Sequence, residues 1–427
     1  MKSWLLRLKK KTKSKFWHLI REEPIEDAIA VEKSKRERLS LGRRPEKEED
    51  EKLKENNEKF TIADKLRNVK NFGEEIGEVN FKALAAVTAN ASSLHSHKVQ
   101  VVRSAGSWSL GFRELKCENS ILIAYLELIQ NSKRLIYIEN QFFISNTAGE
   151  PIRNRIAEAL ILRIKRAIDE KEVFKVIVVL PLLPGFEGDV IDKAEGAFMR
   201  LTLGFEHQTI ARGETSLFGQ LEMYPEYADY IKFVGLRQHG KLKNGKPATE
   251  QVYVHSKMLL VDDDYCLIGS ANINDRSMLG YRDSEIGLVV CDATKRKSIL
   301  AGQEVYVSES VLKLRKDCFN QVFGLSGELN IDPCSPATWE AIVSNTKKNT
   351  EIYRKVFGCL PDSLVLNSRE AERLTAQANI ELYDQLCGQI TGLSVEFPTD
   401  FLKEEDLRKV GGKIKYGLMI VPLTLFT

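Results

Sequence analysis

The sequence predicts an α/β fold, a sheet flanked by helices, and two patterns carry that expectation. Short apolar runs of strand length recur at "KVQVV", "RLIYI", "KVIVVL" and "YIKFVGLR". Between several of them lie stretches whose apolar residues repeat at helical spacing. Such alternation predicts a parallel or mixed sheet with helices against its faces. At 427 residues, 43% hydrophobic, with net charge +3, the chain is long enough for two or three domains, or one large one, around a sizeable core.

The first ninety residues read differently from the rest. "MKSWLLRLKKKTKSKFWHLIRE" sets Lys9, Lys10, Lys11, Lys13 and Lys15 among Trp4, Leu5, Leu8, Phe16 and Trp17. That mixture suits an anionic lipid surface, and it also suits a solvated, partly helical tail. "RRPEKEEDEKLKENNEKF" is charge-rich and nearly without aliphatics, too polar to offset its ordering entropy, and predicts a linker. Residues 1–90 therefore form an N-terminal segment and linker. From Lys98 a strand runs into a turn rich in Gly and Ser. "ENSILIAYLELIQNSKR" then predicts a helix with Ile121, Tyr125, Leu128 and Ile129 on one side. The strand "RLIYIENQFFIS", the helix "RNRIAEALILRIKRAIDE" and the strand "FKVIVVL" follow. Residues 98–300 make up this unit. Residues 301–427 are expected to be helical and then extended, packed upon it, and to end in "EFPTDF" and "MIVPLTLFT".

No apolar run reaches the roughly eighteen residues of a membrane-spanning helix, and the N-terminus lacks the order of a signal peptide. A cytoplasmic protein with peripheral membrane contact is expected. The seven cysteines are odd in number and scattered without C-x-x-C spacing. They read as core thiols in a reducing compartment rather than a disulfide framework or zinc site.

Chemistry concentrates in "YVHSKMLLVDDDYCLIGSANINDRSMLGYRDSE", from Tyr253 to Glu285. On a strand, residues two apart share a face, so His255 and Lys257 point one way while Val254, Ser256 and Met258 point the other. "MLLV" continues the strand into the acidic turn at Asp262, Asp263 and Asp264, and "YCLIGSAN" returns beside it. Gly269 allows a close backbone approach, and Ser270 and Asn272 add donors on one face. Such a set suits a tetrahedral anion. In-line displacement at a phosphodiester needs a nucleophile, a proton donor for the leaving alkoxide, and donors for the equatorial oxygens. Imidazole serves the first two roles, and Lys257, Ser270 and Asn272 the third, with no metal or other cofactor required. Asp262 lies on the opposite parity and is assigned to tying down the turn. Glu285 is the candidate to orient an imidazole through its Nδ1 hydrogen.

H-x-K-x4-D followed, after six further residues, by G-S-x-N resembles the signature of the phospholipase D superfamily. It reads here His255, Lys257, Asp262, Gly269, Ser270 and Asn272 without departure. "IYIENQFFIS" from Ile136, "PLLPGFEG" from Pro181, "RGE" at Arg212, "KVFGCLPD" and "IVPL" extend the likeness over residues 98–427, to the C-terminal half of the eukaryotic phosphatidylcholine-hydrolysing enzymes. The resemblance implies a phospholipase D type sheet flanked by helices and a catalytic set of His255, Lys257, Asp262 and Glu285. It also implies phosphate binding by Lys257, Ser270 and Asn272. The family uses two such motifs, one histidine forming a phosphohistidine and the other serving as general acid and then base. By resemblance His255 is the second of these. No other histidine opens the motif: His18, His95, His97 and His207 lack the lysine, and His239 has Lys241 but Lys246 in the aspartate's place.

The resemblance therefore implies hydrolysis of phosphatidylcholine to phosphatidic acid and choline by a chain holding one half-site. A second copy or a separate half would complete it. The alternatives are a catalytically silent remnant that binds lipid or a partner, and a nuclease of the same superfamily acting as a homodimer. The folded region lacks the basic excess that nucleic-acid binding calls for. Glu139, Asn140 and Gln141 end a strand where a ligand could be met, while Tyr137, Phe142 and Phe143 are expected in the core. Trp108 is read first as core and second as a face for a quaternary ammonium. "PLLPGFEG" is expected as a rigid loop by the cleft mouth. The tail has Phe426 where the family usually has tryptophan, and its docking near the site is an expectation.

Overall fold

The computed structural model describes residues 97–111, 117–374 and 378–408. The expectations for residues 1–90 and for the tail at Phe426 lie outside these. The described part is a ten-stranded mixed sheet between helices. Its centre is built from β3 (Leu135–Glu139), β4 (Lys175–Val179) and β5 (Ile231–Lys241), which are parallel. The sequences "LIYIE" and "KVIVV" are almost wholly apolar because both sheet faces are covered there.

Next to β3 the order becomes antiparallel. β7 (Met258–Val261) pairs with β3, β8 (Tyr265–Gly269) with β7, β9 (Glu285–Asp292) with β8, and β1 (His97–Gly106) with β9, followed by β2 (Cys117–Asn119) at the edge. On the other side β5 is flanked by β6 (Pro247–Gln251) and by β12 (Ser394–Glu396). β10 (Lys295–Leu300) and β11 (Gln303–Ser308) form a separate hairpin.

Helices α1 (Ser120–Asn131) and α2 (Ile156–Asp169) pack together, and α1 also meets β1, β7, β8 and β9. Its expected apolar side, Ile121, Tyr125, Leu128 and Ile129, is fully buried. α3 (Ala197–Ile210) was not legible as an amphipathic helix. Nearly all of it is buried, the ionisable side chains of Arg200, Glu206 and His207 included, so no exposed polar face marks it in the sequence. α4 (Glu309–Phe323) and α5 (Pro336–Phe357) bring Phe319, Phe323, Trp339 and Ile342 against Leu135, Tyr137, Ile177, Val179 and Leu260. The chain beyond residue 301 thus shares the core of the sheet and supplies its edge strand β12. Among the described residues no helix is long and apolar enough to cross a membrane.

The topology gathers one set of strand ends. β3 and β4 finish, β7 begins, β8 finishes and β9 begins at the same edge, because each antiparallel return reverses the chain. The opposite end of β7 is the acidic turn. Asp262 and Asp263 have φ of +54° and +53°, a left-handed conformation that aspartate tolerates better than most residues. The Asp262 carboxylate accepts from the backbone N–H groups of Lys133, Arg134 and Leu135 at 2.7, 2.7 and 2.8 Å, fixing the entry to β3. Asp263 pairs with Arg315 of α4 at 2.8 Å, both side chains fully buried. Asp262 therefore lies a strand's length from His255, roughly 20 Å by strand geometry. Asp262 thus anchors the far end of β7, the turn role that its strand parity predicts, rather than standing with His255 and Lys257.

Asp262→Ala is expected to destabilise the fold by about 3 kcal/mol, since three backbone N–H groups at the entry to β3 lose their shared carboxylate acceptor. Denaturant titration measures it, and a change below about 0.5 kcal/mol would contradict the anchoring role.

Candidate active site

His255 and Lys257 lie in an extended run just before β7, not inside a strand, because residues 252–257 leave the regular ladder. Alternation persists in part. Val254 and Met258 are buried, Ser256 is half-buried, and the His255 ring is exposed. Lys257 differs from its neighbour: only 8% of it is exposed. Its Nζ donates to Gln141 Oε1 and to the His255 backbone carbonyl, each at 2.8 Å. The ammonium is thus folded back beneath the imidazole's own backbone. The His255 ring stacks on Tyr253, with centroids 6.1 Å apart and planes at 26°.

Three successive residues at the end of β3 hold three different parts of the site. Glu139 accepts from Tyr137 Oη at 2.6 Å and from Ser256 Oγ at 2.5 Å, so it grips the ribbon from the side opposite Lys257. Asn140 is fully buried, and its Oδ1 accepts from the Phe142 and Ile273 N–H groups at 3.2 and 3.1 Å. It pins the loop that carries Ser270 and Asn272. Gln141 takes Lys257 through its oxygen and donates through Nε2 to Tyr253 Oη at 2.8 Å. Of this trio, Glu139 and Asn140 spend these hydrogen bonds on holding the fold, while Gln141 turns to Lys257 and Tyr253. Tyr137, Phe142 and Phe143 are buried as expected.

Across β8 and β9, a Cβ added at Gly269 would meet the Ile286 carbonyl at 2.3 Å and Gly287 Cα at 2.7 Å. The glycine is needed for strand approach, and Ser270 and Glu285 meet because of it. Ser270 Oγ donates to Glu285 at 2.5 Å and accepts from the Ile286 N–H at 3.1 Å, so its proton is directed at a carboxylate rather than at an open site. The other Glu285 oxygen accepts from Ser277 Oγ at 2.7 Å. With both oxygens taken by serines, Glu285 makes no hydrogen bond to His255 among the described residues. The half-buried Asn272 keeps Oδ1 without a partner.

Trp108 is 69% exposed and donates to the Tyr281 carbonyl at 3.3 Å, which corrects its reading as core. The loop "PLLPGFEG" abuts the site through Gly185, where a Cβ would lie 2.5 Å from Tyr253 Oη. Burial lowers the Lys257 pKa to about 8, while the Glu285 carboxylate pulls it upward. No carboxylate bridges Lys257 among the described residues.

A family model described as Phospholipase D matches residues 78–366. This chain belongs to the phospholipase D family. All the site residues described above fall inside that span. Phospholipase D zeta 1 of Arabidopsis thaliana is 41% identical over 357 residues, which cover 75% of this chain and 32% of the relative. Phospholipase D1 of Homo sapiens is 40% identical over 347 residues, 78% of this chain and 32% of its own. The chain spans about a third of the length of these curated relatives. Among solved structures, NucT from Helicobacter pylori aligns with 52% of this chain and 92% of its own at 15% identity, with a TM-score of 0.28.

Sulfate keeps a constant charge over the relevant range and probes the ammonium directly. Its affinity is expected to fall as pH rises through about 8, where Lys257 loses its proton. In Lys257→Met that step should vanish and affinity at pH 7 drop about tenfold, or 1.4 kcal/mol. Stability should respond with the opposite sign. The folded pKa lies below the unfolded one, so burial of the charge disfavours folding below about pH 8, and this penalty disappears towards the unfolded value. Lys257→Met should melt higher than wild type at pH 7, the gap closing as pH rises. Equal melting at every pH would refute the buried-charge account.

Proposed function

We propose that this chain supplies the C-terminal half-site of a phospholipase D, with His255 as general acid and then base and Lys257 and Asn272 as phosphate ligands. The observation that carries the reading is the Lys257 ammonium, buried beside an exposed imidazole and bonded only to neutral oxygens. A buried cation that no carboxylate bridges among the described residues favours an anion beside it. Glu285, held by Ser270 and Ser277, places a negative charge near the ammonium, and the Ser270 hydroxyl proton is directed at that carboxylate.

The reaction is hydrolysis of phosphatidylcholine. A second imidazole, from another copy of this chain or from a separate half, attacks phosphorus and forms the N–P bond. As the P–O bond to choline breaks, His255 gives its proton to the departing oxygen. His255 then takes a proton from water, whose oxygen attacks phosphorus and releases the second imidazole and phosphatidic acid. An alcohol can replace water in that step. The exposed indole of Trp108 is available to a quaternary ammonium. The setting proposed is the cytoplasmic surface of a membrane, contacted peripherally through the basic N-terminal residues.

With phosphatidylcholine vesicles and butanol, the full chain should yield phosphatidylbutanol, and His255→Asn should lower the yield at least about 100-fold. Mixing wild type with His255→Asn should change activity per wild-type chain if two copies share a site. Lipid binding without turnover in all these mixtures, and with a supplied N-terminal half, would favour the silent remnant. Plasmid nicking without lipid turnover would favour the nuclease.

A further inference from the structure

We infer that Gln141 is a positioning residue for both working groups of this half-site: its one planar amide holds the Lys257 ammonium at one end and Tyr253, against which the His255 ring stacks, at the other. The inference rests on the proposed reading of His255 and Lys257. Gln141 contributes no proton and touches no reacting atom. Its role follows from the two 2.8 Å hydrogen bonds and from the stack at 6.1 Å. Because the amide is rigid, Lys257 Nζ and Tyr253 Oη cannot move independently while both bonds persist. Fixing a lysine and a tyrosine rotamer in advance removes ordering entropy from the binding step.

The choice of an amide has a chemical reason. A carboxylate at this position would also accept from Lys257, but it would neutralise the charge the phosphate needs. A neutral oxygen holds the ammonium and leaves its charge available. The amide nitrogen in turn donates to the tyrosine oxygen. Gly185 completes the arrangement from the neighbouring loop. It lies outside the positive-φ positions, so alanine is allowed there by the backbone, and the obstacle its Cβ meets is Tyr253.

The test uses the full chain with lysine labelled at Cε and histidine at Cε1, followed by NMR across pH, with sulfate binding measured alongside. Gln141→Glu should raise the Lys257 titration midpoint by at least one unit and weaken sulfate about tenfold at pH 7. Gln141→Leu and Tyr253→Phe should each shift the His255 ring resonance. Gly185→Ala should shift it as well, without contact with the imidazole. If Gln141→Leu fails to fold, Tyr253→Phe and Gly185→Ala still report. An unchanged Lys257 midpoint in Gln141→Glu, or an unmoved His255 resonance in both Tyr253→Phe and Gly185→Ala, overturns the inference. Shifted resonances in a chain with no phosphodiesterase activity under any pairing would support the positioning role while removing the proposed reaction.

Discussion

The ammonium of Lys257 sits out of water on two uncharged oxygens, and much of the surrounding structure follows from that requirement. Burying a cation this way disfavours folding, so the rest of the fold must offset it through the packed sheet and helices. The acceptors must also be fixed, because a mobile acceptor would let the side chain escape to solvent. Gln141 meets that need from the end of β3, and the His255 carbonyl meets it from the same ribbon. Glu139 and Ser256 then hold the ribbon from behind, so the lysine cannot relax by rotating its backbone.

The sheet makes this possible by changing direction at β7. A wholly parallel sheet would bring strand ends and helix-linked returns to opposite edges. Here β7, β8 and β9 reverse in turn, so "ENQ", "HSK", "GSAN" and Glu285 all fall along one edge. Close contact at Gly269 draws β8 onto β9 and brings Ser270 to Glu285. At the far edge Asp262 and the buried Asp263–Arg315 pair lock the same hairpin to β3 and α4. Register slippage of β7 would break both ends at once.

The charge arrangement has a functional sense as well. Glu285 stays close enough to raise the lysine pKa against burial, yet its oxygens are occupied by Ser270 and Ser277. The carboxylate supports the positive charge without bridging it. Asn272, with an unpartnered amide oxygen, is the polar side chain left at the loop tip.

The sequence by itself determined the strand and helix order from residue 98 to about 180, the burial of Tyr137 and Phe143, and the identity of the motif from His255 to Asn272. These are local: periodicity marks an amphipathic helix or a buried strand, and a spacing rule needs no partner. It also located the turn role of Asp262, through strand parity. Only the tertiary structure decided what each polar side chain is bonded to. Glu139, Asn140 and Gln141 are adjacent in sequence yet hold the ribbon, the loop and the lysine, and those partners lie more than a hundred residues away. The bonds of Glu285 to Ser270 and Ser277 and the exposure of Trp108 are tertiary in the same way, since neither spacing nor composition records which groups a folded edge brings within hydrogen-bond distance.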